Sequence, residues 1–277
     1  MTKIAVLSDI HGNLPALEAV LEDIEQWRPD RLIVNGDLVS RGPCSLVCLR
    51  LLQERKSQSF FIKGNHETFV ISCAEGACEP EGPSADLNRF AQWTAAQIGK
   101  SVVDEIRAWS DHLDLVSVGE GSIHVTHGSR LGNRDGIFPR TSDEDLSAKL
   151  GDPRDLFIAS HTHQPLIRRF NGTQVVNVGS VGQPLDGDSR SAYGRFVFRH
   201  GQWCAEIVRL KYDKDRAERD FIDSGFLHEA GPLAQLIYLE VRQSRGHVGR
   251  WMRRYFQAVM VSEISVKTAV EEYLAAL

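Results

Sequence analysis

Lys3-Ile4-Ala5-Val6-Leu7-Ser8-Asp9-Ile10-His11-Gly12 is a short β-rich run that ends on a carboxylate and an imidazole. Four more motifs, each holding a carboxylate, an Asn amide or an imidazole, follow other β-like runs: Gly36-Asp37 after 32–35, Gly64-Asn65-His66 after 60–63, His127-Gly128 after 122–126, and His161-Thr162-His163 after 156–160. In open α/β sheets, ligands collect just beyond the carboxyl ends of strands. Five sets of metal-type ligands placed there converge on one spot and exceed what one cation needs. The pattern therefore reads as a two-metal hydrolytic site.

Around the first run the chain alternates its periods. Leu14, Leu17, Val20, Leu21 and Ile24 recur at helical spacing, with Pro15 near the helix start. Residues 31–35 read as a second strand. Leu46, Val47, Leu49, Leu51 and Leu52 read as a second helix, and 59–63 as a third strand. The βαβαβ order predicts a parallel sheet with right-handed crossovers. After Asn65 the pattern turns helical at 68–74, passes a Gly/Pro/Glu-rich loop at 75–85, and is helical again at 86–98 and 102–111. This is a helical insert of about 68–112 that rejoins the sheet near Leu113. Residues 122–210 read mainly as strands and turns, with His200-Gly201 turning between 195–199 and 203–210. The expected division is one domain over 1–210 and a C-terminal helical extension over 211–277. Arg250, Arg253 and Arg254 share one helix face in that extension, either as a solvated face or as a docking surface for an acidic ligand or partner chain.

Bulk properties exclude several classes. The chain of 277 residues is 42% hydrophobic and 25% charged, ordinary for a globular protein. A net charge of −5 argues against general nucleic-acid binding. No run of about 18 apolar residues offers a membrane span. The N-terminus enters a strand without a charged-then-apolar leader, so a cytoplasmic location is expected. The five cysteines are an odd count in apolar or helical contexts, as expected of reduced thiols.

Each motif has its own chemistry. Asp9 and His11 are two apart, so in an extended segment they point to one side and grip one cation. His161 and His163 repeat that logic. Asp37 ends a buried strand, and its two oxygens can bridge two cations. Asn65 offers a neutral amide oxygen, and His127 one more imidazole. Such mixed donors suit Mn, Fe, Co, Ni or Zn. Taken singly, Asp-x-His or Gly-Asp is a weak signal; the ordered set, each at a strand end, is specific.

The ordered set Asp-x-His, Gly-Asp, Gly-Asn-His, His-Gly and His-x-His resembles the calcineurin-like metallophosphoesterase family, from Lys3 to about Leu210. The resemblance implies a four-layer α/β/β/α sandwich with a two-metal phosphoesterase site. It implies that Asp9, His11, Asp37 and His163 hold a first metal. Asp37, Asn65, His127 and His161 would hold a second, with Asp37 bridging. Manganese is the first expectation. His66 matches the family's catalytic histidine, the general acid for the leaving group while a metal-bridging water attacks in line. Asn177 to Pro184, with Thr162-His163-Gln164-Pro165, is similar to a prokaryotic branch of predicted phosphodiesterases. Gly36 to Pro43 and Gly64-Asn65-His66-Glu67 look closer to protein phosphatases and bis-nucleoside tetraphosphatases. Ser160 stands where the family usually has Gly, and Ser40 where protein phosphatases carry an Asp.

Other side chains have plainer readings beside functional ones. His66 could be a capping or core histidine. Arg41, in the loop after Asp37, suits bidentate phosphate recognition or is a surface arginine. Arg130, Arg134 and Arg140 lie in a polar loop after His127. Arg130 is a candidate for substrate phosphate, with solvation as the plain reading. His124 lies three before His127 and faces away from it in a strand. Cys73 and Cys78 lack a second ligand pair for zinc, and Cys44 and Cys48 pack at helical spacing. The resulting expectation is a phosphodiesterase on a small phosphoester or nucleotide. The rivals are a phosphatase of dinucleoside polyphosphates or phosphoproteins and a non-catalytic scaffold. The apolar positions of the extension need a surface, either the core or a second subunit.

Overall fold

Ile4 and Val6 face one way along the first strand and Ala5 and Leu7 the other, and all four are buried. Layers therefore cover both faces of this strand. The computed structural model describes residues 2–55, 59–79, 81–117 and 119–277. Pro80, within the predicted loop, lies outside them. The chain begins β1 (Lys3–Leu7), α1 (Leu14–Trp27), β2 (Arg31–Asn35), α2 (Ser45–Gln53) and β3 (Ser59–Ile62). The helices α3 (Asn65–Ala74), α4 (Pro83–Ile98) and α5 (Lys100–Arg107) follow. Next come β4 (His112–Ser117), β5 (Gly121–Thr126), α6 (Asp143–Leu150), β6 (Leu156–Ala159), β7 (Leu166–Phe170) and β8 (Thr173–Asn177). The hairpin β9 (Ser191–Arg199) and β10 (Gln202–Leu210) precedes α7 (Lys214–Asp223), α8 (Phe226–Glu229), α9 (Leu233–Gln243), α10 (Val248–Met260) and α11 (Val266–Ala275).

Two five-stranded sheets form, in the orders β10-β9-β1-β2-β3 and β4-β5-β6-β8-β7. β1, β2 and β3 pair in parallel, as the βαβαβ pattern predicts. Ile4, Val6 and Ile33 of the first sheet meet Ile123, Val125 and Ile158 of the second in one apolar layer. On its other face the first sheet carries α1 and α2, through Leu17, Val20 and Leu49. The second sheet is covered by α6 through Leu146 and Leu150, packed with Phe157 and Val175. The result is the α/β/β/α sandwich. His200 and Gly201, at φ of 52° and 77°, make the predicted hairpin turn, both in the left-handed region such two-residue turns require.

Four expectations need correction. First, α3 begins at Asn65 rather than 68, so Asn65 and His66 sit in a helix's first turn. Second, β4 opens the second sheet instead of rejoining the first. Third, α6 interrupts the stretch read as strands and turns. Its Ser142 cap, accepting from the Asp145 N–H, and three acids in its first turn were a legible start signal. Its short apolar stripe, Leu146 and Leu150, hid it. Fourth, Cys73 and Cys78 form a disulfide, so not all the thiols are reduced, while Cys44, Cys48 and Cys204 are free.

The C-terminal helices join the core directly. Phe221, Phe226, Leu233 and Trp251 share one apolar cluster with Leu17 and Val20 of α1 and Phe90 and Trp93 of α4. Trp93 stacks edge-on against Phe226 at 5.1 Å, and its indole N–H donates to Glu229 at 2.9 Å. No helix among the described residues is long and apolar enough to cross a membrane.

Candidate metal centre

The five motifs meet because their loops are laced together by backbone hydrogen bonds. Asp9 N–H donates to Gly36 O, His11 N–H to Asp37 O and Gly12 N–H to Leu38 O, each at 3.0 Å. Gly182 N–H closes the third side on Asp9 O at 3.0 Å. Gly36, at φ 83°, has no room for a side chain: a Cβ there would lie 2.6 Å from both Gly64 N and His127 Nδ1.

The backbone brings the pairs together differently from the expected extended segments. Asp9, His11, Asp37, His161 and His163 have φ of 51°, 49°, 53°, 67° and 56°, all left-handed. Each such residue costs about 1–2 kcal/mol in an L-amino acid. Asp and His accept it better than most residues, and strain of this kind gathers at functional sites. Tight turns, not strand alternation, aim these side chains.

The donor atoms form three overlapping groups: Asp9, His11 and His163; His11, Asp37 and His66; and Asp37, His127 and His161, each within 4.8 Å. His163 Nε2 lies 3.2 Å from Asp9 Oδ1 and 3.3 Å from His11 Nε2. His127 Nε2 lies 3.1 Å from Asn65 Oδ1. Asp37 stands between the two sides. Its Oδ1 accepts the His66 N–H at 2.8 Å. Its Oδ2 lies 3.8 Å from His11 Nε2 and 3.3 Å from His127 Nε2.

Three imidazoles are held in one orientation. His11 Nδ1 faces Ser40 O at 3.3 Å, His127 Nδ1 faces Asn35 O at 2.8 Å, and His163 Nδ1 faces Gln183 O. A carbonyl only accepts, so each Nδ1 carries a proton and each Nε2 turns to the cluster. This is how metal-ligating histidines are oriented. Among the described residues, Asp9 Oδ1 and His161 Nδ1 are buried without a hydrogen-bond partner. Leaving buried polar atoms unpaired is costly unless a cation satisfies them. The donor set fits divalent metals, and Asp9, His11, Asp37 and His163 support divalent metal binding.

Charge states follow from burial and neighbours. Burial drives His11 well below its usual range. It takes His66 to about 3, with Arg41, His127 and His161 adding to the fall despite Asp37. Burial works against charge on His127 too, but the Asp37 carboxylate outweighs it and lifts His127 to about 10. Burial also opposes ionisation of Asp37, and His127 and His66 overcome it, holding the carboxyl well below normal.

Several supporting residues had no assigned role in the sequence. Buried Glu67 accepts the N–H groups of Asp37, Leu38, Val39 and Gly64 at 2.7, 2.8, 3.1 and 2.8 Å. Burial and Asp37 raise its pKa to about 7 against those donors. Glu67 followed His66 in the quoted motif, and a buried acid in a helix's first turn was the available signal. Asn177 donates to Ser160 O at 2.7 Å and Thr162 Oγ1 at 2.9 Å, pinning the His161–His163 turn. Ser160 itself accepts from Asn35 Nδ2 at 2.7 Å, which gives the hydroxyl a task where the family usually has Gly. Ser40 Oγ lies 3.3 Å from His66 Nδ1.

The arginine candidates separate. Arg41 lines a cavity of about 490 Å³ with Asp37, Asn65, His66, His161 and His163. Its Nε donates to Gln183 Oε1 at 2.8 Å, and its guanidinium pairs with buried Glu240 of α9. Arg130 lies elsewhere, lining a second cavity, with Nη1 3.4 Å from His124 Nδ1. His124 is buried against Asp114 at 2.8 Å and Phe157, not in the cluster.

The family model for calcineurin-like phosphoesterases matches residues 2–199. An uncharacterised protein of Methanocaldococcus jannaschii is 27% identical over 237 residues, covering 77% of this chain and 89% of its own. A symmetrical bis(5'-nucleosyl)-tetraphosphatase of Actinobacillus succinogenes is 35% identical over 211 residues, covering 75% of this chain and 69% of its own. A solved metallophosphoesterase of Sphaerobacter thermophilus superposes with a TM-score of 0.68 at 23% identity, covering 88% of this chain and 100% of its own, a likeness of fold.

Proposed function

The chain belongs to the calcineurin-like phosphoesterase family and is a metal-dependent phosphoric ester hydrolase, and from that premise we propose that it is a two-cation phosphodiesterase. The observation that carries the reading is Asp37 Oδ2, which stands between His11 and His127 while Oδ1 is occupied by the His66 N–H. One side would use Asp9, His11, Asp37 and His163, and the other Asp37, Asn65, His127 and His161. Divalent cations there, manganese first, would supply Lewis acidity toward phosphoryl oxygens and a nucleophile at neutral pH.

The chain's own residues supply position and proton transfer. Glu67 and the lacing of the two loops hold Asp37 in place. His66, edge-on to His11 at 5.0 Å, borders the cavity where a leaving group departs. Without substrate His66 is neutral. An arriving phosphate supplies the nearby negative charge that favours its imidazolium, which then protonates the leaving oxygen. A second reading, hydrolysis of a dinucleoside polyphosphate, draws on the Actinobacillus relative.

The test is metal content with turnover of bis(p-nitrophenyl) phosphate. Wild type binds two cations per chain and turns over. Asp37→Asn loses metal affinity by more than the roughly 10–100-fold typical of outer-shell groups. Unchanged occupancy in Asp37→Asn rules out the bridge. Two cations with no turnover of any phosphoester favours a scaffold.

A further inference from the structure

Resting on that phosphoesterase reading, we propose that Arg250 and Arg253 of α10 form a second anion subsite in the metal cavity, so that the preferred substrate carries a phosphate chain. The cavity reaches from the metal-centre side chains to the first turns of α10, where Gly249, Arg250 and Arg253 line it. At about 490 Å³ it is of the size that holds a whole small-molecule ligand, not one phosphoryl group. Arg250 and Arg253 are three apart on α10, so they present their guanidinium groups from one helix face. Among the described residues neither has a carboxylate partner. Other arginines of this chain do, as with Arg41 and Glu240, Arg209 and Asp186, and Arg216 and Glu18.

The helix is fixed relative to the metal-centre loops. Trp251, Tyr255 and Val259 bury its opposite face in the core. Glu240 Oε1 accepts the N–H groups of His247 and Val248 at 2.6 and 2.8 Å. Its Oε2 accepts from Gln183 Nε2 at 3.0 Å and pairs with Arg41, in the loop after Asp37. One buried carboxylate thus ties the start of α10 to the metal loop. Because Glu240 offsets Arg41, the uncompensated positive charge on this wall comes from Arg250 and Arg253. Paired guanidinium forks match phosphate oxygens in geometry and charge. A substrate with one phosphoryl group at the metals and a further phosphate on α10 uses both ends of the cavity. That remote contact positions the reacting phosphorus.

The experiment uses the full metal-loaded chain and Arg250→Ala/Arg253→Ala, both exposed positions. Calorimetry compares tripolyphosphate with orthophosphate. Kinetics compare diadenosine tetraphosphate with bis(p-nitrophenyl) phosphate. Wild type is expected to bind tripolyphosphate at least about tenfold tighter than orthophosphate, and the variant to lose that preference. The loss of kcat/KM is expected to be at least about tenfold greater for the tetraphosphate than for the small diester. Equal losses on the two substrates, or no wild-type preference for tripolyphosphate, overturns the subsite. Cleavage of the diester without that preference leaves the phosphoesterase reading standing and removes the subsite. Arginine-dependent tripolyphosphate binding without turnover of either substrate keeps the subsite and removes the reading.

Discussion

The metal-centre loops and the C-terminal helices border one cavity, yet they are built on opposite principles. The loops are polar, strained and buried, with left-handed residues from Asp9 to His163 and backbone hydrogen bonds lacing one loop to the next. The helices α7 to α11 are regular, and their apolar faces pack into the same core as α1 and α4. Damage in the loops should therefore show as lost chemistry, and damage in the helices as lost stability or altered substrate range.

The largest expected effect on turnover is at His66. His66→Ala should keep both metals and lower turnover by about 10²–10⁴-fold. The loss should be smaller with p-nitrophenyl leaving groups, which scarcely need a proton. Equal losses for good and poor leaving groups would count against proton donation.

Trp251→Ala tests the other region. Trp251 is fully buried on α10. Its truncation should cost about 3–5 kcal/mol in denaturant unfolding. Metal content per folded chain should stay the same. If metals are lost from the folded variant, the two regions are not separable in this way.

Glu67→Gln should weaken metal binding by roughly 10–100-fold. The amide replaces one acceptor oxygen with an NH₂ that faces backbone N–H groups now served by a carboxylate. Wild-type affinity in chelator competition would show that Asp37 is positioned without it.

Per pH unit, the smallest step expected is in proton release. In the metal-free chain His127 keeps a second proton up to about pH 10, while His11, His66 and His161 are depressed and already neutral. A cation on His127 must displace that one proton. Affinity should then rise about tenfold per pH unit from pH 7 toward 10 and level off above it. Calorimetry in buffers of differing ionisation enthalpy should count one proton released. A count near zero would mean that the Asp37–His127 pair is not protonated as described.

The sequence by itself determined the parallel β1-β2-β3 core and the polar motifs that gather beyond its strands. The β-rich run through Lys3–Leu7, the helical spacing from Leu14 and the polar motifs after each strand are local patterns, and burial acts on them residue by residue. Tertiary structure decided the rest, because those decisions join distant segments. Which nitrogen of His127 faces the cluster depends on Asn35 O, 92 residues away. The left-handed turns at Asp9 and His163 are affordable only where neighbouring loops hold them. Arg41 looked free until Glu240, 199 positions later, closed on it. Arg250 and Arg253 read as either a solvated face or a docking surface until the packing of α10 set them on the cavity that Asp37 and His66 also line. Helical periodicity says that a face is polar; only the packing of the opposite face says what it looks at.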